Sequence, residues 1–288
     1  MVSWRSPAHV ADWARMTSVT PESCRLQVTF WGVRGTRPTP QESHLGVGGN
    51  TSCLEVRANA DSRVLVDAGT GLIHAGIFGP QNVDLLMTHF HWDHIYGLPF
   101  FPPLFKAGSR LTFFTGHPAD AARRSLESPM TGPYSPALEF ALSTREYVEI
   151  DRQPFTRNAM TIHPFPLHHP QGAWGYRMES GGASIVHASD VEHGDTRLDA
   201  LLRDYATGAD LLIYDAQYTD AEYRSKRGWG HSTWREATRV ARDARVKQLL
   251  LFHHDPTHDD RTMRAIVDEA RQHFEATDIA REGEIIQI

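Results

Sequence analysis

The stretch MTHFHWDH, residues 87–94, packs three histidines and an aspartate into the six positions from His89 to His94, directly after the apolar run VDLL. No other feature of the chain constrains its fold as much. In extended chain alternate side chains share a face, so His89 and His91 can chelate one ion. Asp93 and His94 are adjacent and would point apart in a strand, so they serve a second ion only if the chain turns there. A helical zinc protease would use histidines at i and i+4 with glutamate between them, and this cluster lacks that spacing. Imidazoles with one or two carboxylates suit zinc, manganese or iron better than calcium. The competing reading is a polar turn rich in histidine.

Other apolar runs weigh against that bland reading, because they too end in metal-capable residues. RVLV runs into Asp67, ASIVHAS into Asp190, ADLLIY into Asp215 and VKQLLLF into His253. The carboxyl ends of strands are where α/β sheets place their ligands. Taken singly, each ending could reflect the preference of turns for aspartate. Taken with the 89–94 cluster, they converge on one edge of a sheet.

Short β-rich runs fill the first part of the chain, at 25–33, 53–58, 63–69 and 83–90, with Gly/Asn turn signals such as GVGGNTS at 46–52. The section from 95 to 150 is rich in proline and aromatics and predicts one helix, 119–128. Strands return at 159–167, 174–179 and 183–189, the last two joined by the hairpin signal SGG. The end alternates: strand 210–216, helix 232–244, strand 246–254, helix 262–274, strand 283–288. That order indicates layered sheets covered by helices. It gives one α/β domain over 26–288 and an N-terminal extension, 1–25, to which the sequence assigns no role.

Composition narrows the partners. Hydrophobic residues make up 40% and charged residues 22%, enough for a substantial core. The formal charge of −6 and the lack of a Lys/Arg block argue against binding nucleic acid mainly through phosphates. The clusters ARR at 122–124 and RSKR at 224–227 read as solvated surface. No run reaches the length of a membrane span, and the start lacks the apolar core of a signal peptide. Cys24 and Cys53 form neither a CxxC motif nor a disulfide framework, so a cytoplasmic location is the default expectation.

TFWGVRGTRPTP, GGNTSC, LVDAGTG, THFHWDH, HHPQGAWGYRM, HASD, YDAQY, GHSTW and LFHHDP, taken in order, resemble the metallo-β-lactamase fold. The likeness covers residues 26 to 288 and is closest to the phosphodiesterase branch, which includes ribonuclease Z and the small cyclic-nucleotide phosphodiesterases. It implies an αββα sandwich, two mixed β-sheets flanked by helices, with two divalent metal ions, zinc foremost and manganese or iron as alternatives. It implies His89, His91 and a later histidine at the first ion, His169 in preference to His168. Asp93, His94 and His253, in preference to His254, would hold the second, and Asp190 would bridge both. In this branch an acidic motif and an HST motif follow, and YDAQY and GHST stand in those places. The resemblance therefore implies His231 as general acid, oriented by Asp215 where the branch carries glutamate, with Asp93 joining the catalytic set.

Plainer expectations stand beside these. HSTWRE is also a helix start, with Ser232 as the cap. Asp67 is expected to support ligands rather than bind metal. GVGGNTS lacks the lysine and following helix of a phosphate loop, which leaves a tight turn between strands. His163 and His187 are expected to pack within strands. Trp92, Tyr134 and Phe140 either line a base pocket or pack in the core or at its rim.

Two cations about 3.5–4 Å apart can generate hydroxide near neutral pH and clamp both oxygens of an in-line displacement. The expected reaction is phosphodiester hydrolysis by hydroxide held between the ions, with His231 protonating the leaving oxygen. Segment 100–150, with PPLFKAGSR and one ordinary helix, lacks the long, basic, glycine-rich arm by which ribonuclease Z relatives grip tRNA. Together with the net charge, this favours a small diester such as a cyclic nucleotide over RNA. Acyl hydrolysis of a β-lactam, lactone or thioester, and redox chemistry at iron, are the alternatives on this fold. A non-catalytic binding module is a further one, against which the full ligand set argues. Relatives often dimerise, so a homodimer is compatible, although no interface pattern is readable.

Overall fold

The computed structural model describes residues 25–288, so the extension, with Cys24, lies outside the described residues except for Arg25. The strands in chain order are β1 (Gln27–Gly32), β2 (Cys53–Asn59), β3 (Ser62–Val66), β4 (Asn82–Leu86), β5 (Arg110–Thr115) and β6 (Thr144–Glu149). They continue as β7 (Phe155–Arg157), β8 (Met160–Leu167), β9 (Ala173–Ser180), β10 (Ala183–Ala188), β11 (Leu211–Asp215), β12 (Gln248–Phe252), β13 (Thr277–Ile279) and β14 (Ile285–Gln287). They form two seven-stranded sheets, β14-β1-β2-β3-β4-β5-β6 and β13-β12-β11-β10-β9-β8-β7. Each is antiparallel on one side and parallel on the other: β3 to β6 run parallel in the first sheet, β10 to β13 in the second. The mixed-sheet α/β architecture is the expected one.

Period-two patterning explains how the sheets stack. Val64 and Val66 of β3 enter the core between the sheets, which they share with Ile162, Tyr176, Ile185 and Leu250. Leu65, between them, faces the opposite way, into a smaller cluster with Leu85, Phe113 and Leu126. The helices are α1 (Trp92–Ile95), α2 (Ala119–Glu127), α3 (Thr196–Ala206), α4 (Asp220–Tyr223), α5 (Trp234–Asp243) and α6 (Asp260–Arg271). Buried Leu202 of α3, Val240 of α5 and Val267 of α6 belong to the larger cluster, so these helices cover the second sheet.

Several local expectations need correction. The cap of α5 is Thr233, whose side chain accepts from the Glu236 N–H, and not Ser232. Ser232 is instead held by Asp215 and His193, one position ahead of the cap. GVGGNTS is not a tight turn: it lies in the 20-residue link between β1 and β2, whose amides bind the carboxylates of Asp260 and Glu282. His163 is partly exposed and pairs with Glu179 at 3.3 Å, whereas His187 is fully buried as expected. Tyr134 and Phe140 are exposed at 73% and 63%, so neither packs in the core. Strands β5, β6, β7 and β13 and helices α3 and α4 were not anticipated.

A fully buried arginine anchors this link beneath the strand ends. Arg34 donates to the carbonyls of Gly48 and His258 at 2.7 Å and of His44 and Asp255 at 3.3 Å. Burial pushes its pKa down to about 10, so it remains a cation. It joins the loop after β1 to the loop after β12, which carries His253.

Candidate metal centre

The parallel halves of both sheets point their carboxyl ends at one place. Asp67 follows β3 directly, Asp190 lies two residues after β10, and His253 follows β12 directly. All three have left-handed backbone, with φ of 60°, 58° and 58°. Non-glycine residues adopt this conformation rarely, and it costs about 1–3 kcal/mol when the surroundings impose it. Past β4 the chain leaves the sheet at Met87, whose carbonyl accepts the Tyr176 hydroxyl at 2.6 Å. Helix α1 then provides the turn that the HWDH spacing requires.

The turn brings together all seven residues singled out as ligands. His89, His91 and His169 form one group, and Asp93, His94 and His253 a second. Asp190 sits between them, 3.1 Å from His94 Nε2 and 3.7 Å from His89 Nε2. Within each group one ligand atom per residue lies within 4.8 Å of the others. The two rivals are placed elsewhere. His254 Nε2 bonds the Ala280 carbonyl, and His168 Nδ1 bonds the Glu192 carbonyl.

Whether these residues suit a cation is decided by the far side of each imidazole ring. His94 Nδ1 bonds Asp67 Oδ2 at 2.7 Å, His169 Nδ1 the Gly230 carbonyl at 2.8 Å and His253 Nδ1 Gln217 Oε1 at 2.9 Å. The Thr88 hydroxyl gives its proton to Asp67 and so accepts from His89 Nδ1 at 3.0 Å. In all four residues Nδ1 must carry the hydrogen, which leaves the Nε2 lone pair free. His91 is the mirror case: Nε2 bonds Gln171 Oε1 at 2.9 Å, freeing Nδ1. His89 Nε2 is buried with no hydrogen-bond partner among the described residues. Five lone pairs and two carboxylates converging on one space fit divalent cations well.

Without a cation, protons substitute. Burial disfavours a charged His94, but Asp190, Asp67 and Asp93 outweigh it and hold its pKa well above the usual imidazole value. Burial is likewise outweighed at His253, chiefly by Asp190 and Asp93, and its pKa rises to about 9. His89 goes the other way: burial, reinforced by His94, keeps it neutral.

Residues 62–254, a range that encloses every one of these ligands, match the family model described as beta-lactamase superfamily domain. This chain belongs to that superfamily. A ribonuclease Z of Brevibacillus brevis is 38% identical, over 88% of this chain and 94% of the relative. Two solved structures share the fold. The metallo-beta-lactamase fold protein YhfI from Bacillus subtilis has a TM-score of 0.68 at 22% identity, covering 91% of this chain and 99% of its own. A diphosphatase from the PhnP family has a TM-score of 0.67 at 16% identity, covering 91% and 97%. The chain is therefore a hydrolase of the metallo-β-lactamase fold, in the phosphodiesterase branch, and membership implies divalent metals, typically zinc.

The centre opens into a cavity of about 400 Å³, lined by His91, Asp93, Asp190 and His231 among others. Asp215, fully buried, accepts from His231 Nδ1 at 2.9 Å through Oδ2 and from the Ser232 and Gln217 N–H groups at 3.1 Å through Oδ1. Trp92 and Trp229, 52% and 63% exposed, line the same cavity. So does Lys226, which lies over the Tyr218 ring at 4.4 Å and pairs with Asp255 at 3.3 Å. Sequence reasoning missed Gln171, Gln217, Lys226, Trp229 and the Gly230 carbonyl. Gln171, Gln217 and Gly230 stood within HHPQGAWGYRM, YDAQY and GHSTW with no role assigned to them. Lys226 stood within RSKR, read as solvated surface, and Trp229 carried no signal. Among the described residues no helix is long and apolar enough to cross a membrane.

Proposed function

We propose that the protein is a dinuclear, metal-dependent phosphodiesterase acting on a small phosphodiester such as a cyclic nucleotide. His89, His91 and His169 would hold one ion, Asp93, His94 and His253 the other, and Asp190, which lies between the groups, would serve both, with zinc the favoured metal. Such a pair would supply an activated water and neutralise phosphoryl charge. The chain's own residues do the rest. Asp93, whose Oδ2 is fixed by the Thr36 N–H at 2.7 Å, orients the water from the cavity wall. His231 donates Nδ1–H to Asp215, so Nε2 carries the proton delivered to the departing oxygen. The buried carboxylate steadies the imidazolium before transfer. Lys226 meets the anionic substrate, and the two tryptophans offer faces on which a base stacks, a contact worth about 1–3 kcal/mol per base.

The Asp215–His231 pair carries this reading. Departure of an alkoxide from a diester needs a proton, whereas the thiolate of a thioester leaves without one. A cavity of about 400 Å³ suits a nucleotide-sized ligand. The competing substrate is RNA, favoured by the ribonuclease Z relative. Against it, segment 100–150 folds into β5, α2, short turns and β6, and no extended basic arm stands there.

The test measures zinc-loaded wild type and His231→Ala on 3′,5′-cyclic AMP, bis(p-nitrophenyl) phosphate, a tRNA precursor with a 3′ trailer, a β-lactam and a thioester. Cyclic AMP should be hydrolysed, and His231→Ala should slow it by about 10²–10⁴-fold. The nitrophenyl ester, whose leaving group departs unprotonated, should suffer less. Turnover of the tRNA precursor alone would make the protein a processing ribonuclease, and turnover of the acyl substrates alone would refute the phosphodiester reading.

A further inference from the structure

Glu192 lies two residues beyond Asp190 and is not one of the residues facing the ions. Its carboxylate is nevertheless buried, and it accepts three hydrogen bonds. Oε1 takes the Gly228 N–H at 2.7 Å and the Tyr223 hydroxyl at 2.9 Å, and Oε2 takes the Gly230 N–H at 2.8 Å. Its backbone grips a second segment. The Glu192 N–H donates to the His168 carbonyl at 2.7 Å, and its carbonyl accepts from His168 Nδ1 at 3.0 Å. One residue thus ties loop 228–231 to segment 168–169.

Those two segments meet at the 2.8 Å bond from His169 Nδ1 to the Gly230 carbonyl, the bond that directs His169 Nε2 into the centre. The next residue of the loop is His231. Tolerance here is small: a Cβ on Gly230, where φ is +90°, would lie 2.3 Å from His169 Nδ1. A slight shift of the loop therefore moves a ligand and the proton donor together.

We infer that Glu192 is a positioning residue that sets, through Gly230, the aim of His169 and the reach of His231. Charge matters as well as size. A carboxylate accepts both amide N–H groups, whereas glutamine would turn its NH₂ toward one of them. The inference rests on the proposed function only for its kinetic arm.

Glu192→Gln, Glu192→Ala and wild type are compared for zinc affinity by chelator competition, for kcat and KM on cyclic AMP, and for Tm. Glu192→Gln should weaken zinc binding about tenfold and lower kcat at least as much, with KM shifted by less than about threefold. Glu192→Ala should lose more on each, and if it does not fold, the glutamine variant alone decides. Wild-type zinc affinity and kcat in Glu192→Gln, with only Tm lowered, would overturn the inference. Zinc affinity does not depend on what is hydrolysed. If cyclic AMP is not a substrate, the proposed function fails while Glu192 is still judged by the metal.

Discussion

The two triads of the centre are built to different standards of enclosure. Asp93, His94 and His253 are buried, and each is fixed from behind by a buried or backbone group: Thr36 N–H, Asp67 and Gln217. In the other triad His91 is exposed, and its support, Gln171, stands on an exposed loop with φ of 61°. Supporting bonds orient a ligand and raise its basicity only as far as they are themselves held in place. On the proposed assignment the fully buried triad should hold its ion the more tightly and exchange it the more slowly, and His91 is the one exposed ligand, next to Trp92 and the cavity.

The largest effect should come from Asp190, which sits between the two triads. Asp190→Ala removes the bridge, so bound zinc should fall by at least one ion per chain and hydrolysis should drop to background, as elemental analysis and turnover would show. Retention of both ions would mean that each triad holds its ion without Asp190 and would remove its bridging role. Next, Asp67→Asn should weaken zinc binding by about 100-fold and Gln171→Ala by about tenfold or less. Equal losses in a chelator titration would erase the asymmetry.

A pH series sharpens it further. The raised pKa of His253, about 9 in the metal-free protein, gives stability that is fully present below the unfolded value near 6.5 and is lost as pH rises through 9. Metal-free protein should lose Tm over that window. Zinc entering the buried triad should release protons, measurable as a buffer-dependent enthalpy in calorimetry. A separate effect is expected at His187, where burial pushes the pKa down to about 4. There the unfolded chain takes up a proton between pH 6.5 and 4 that the folded chain refuses, so stability falls with acidity across that range by up to about 3 kcal/mol. His187→Leu should flatten this part of the acid limb of Tm against pH in zinc-loaded protein.

The sequence showed His89, Asp190 and His253 because each ends an apolar run, and a strand end is a place that a linear pattern can mark. His91, Asp93 and His94 showed because they crowd behind His89, and His169 only through the motif HHPQG. Among the groups behind these ligands Asp67 shares the strand-end mark, and the others do not. Gly230 contributes a carbonyl, which every residue possesses. Gln171 and Gln217 are amides whose value lies in meeting a ring from a distant strand. Glu192 reads as one acid among many until the chain folds back on it. Among the elements, β6 was missed because TREYVE interleaves charges along an edge strand, and α3 because its helix start, Asp195 accepting from the Arg197 and Leu198 N–H groups, sits close behind the HASD motif.

The left-handed backbone at Asp67, Asp190 and His253 also sets a trap for protein engineering. At such positions glycine would relax the main chain, but it would also strip the buried cluster of a charge partner, since Asp67 and Asp190 hold His94 and Asp190 holds His253. A relaxed backbone and an intact cluster cannot be had together at these three positions. A library intended to harden this fold should keep residues 67, 190 and 253 invariant and seek its gains on the helices.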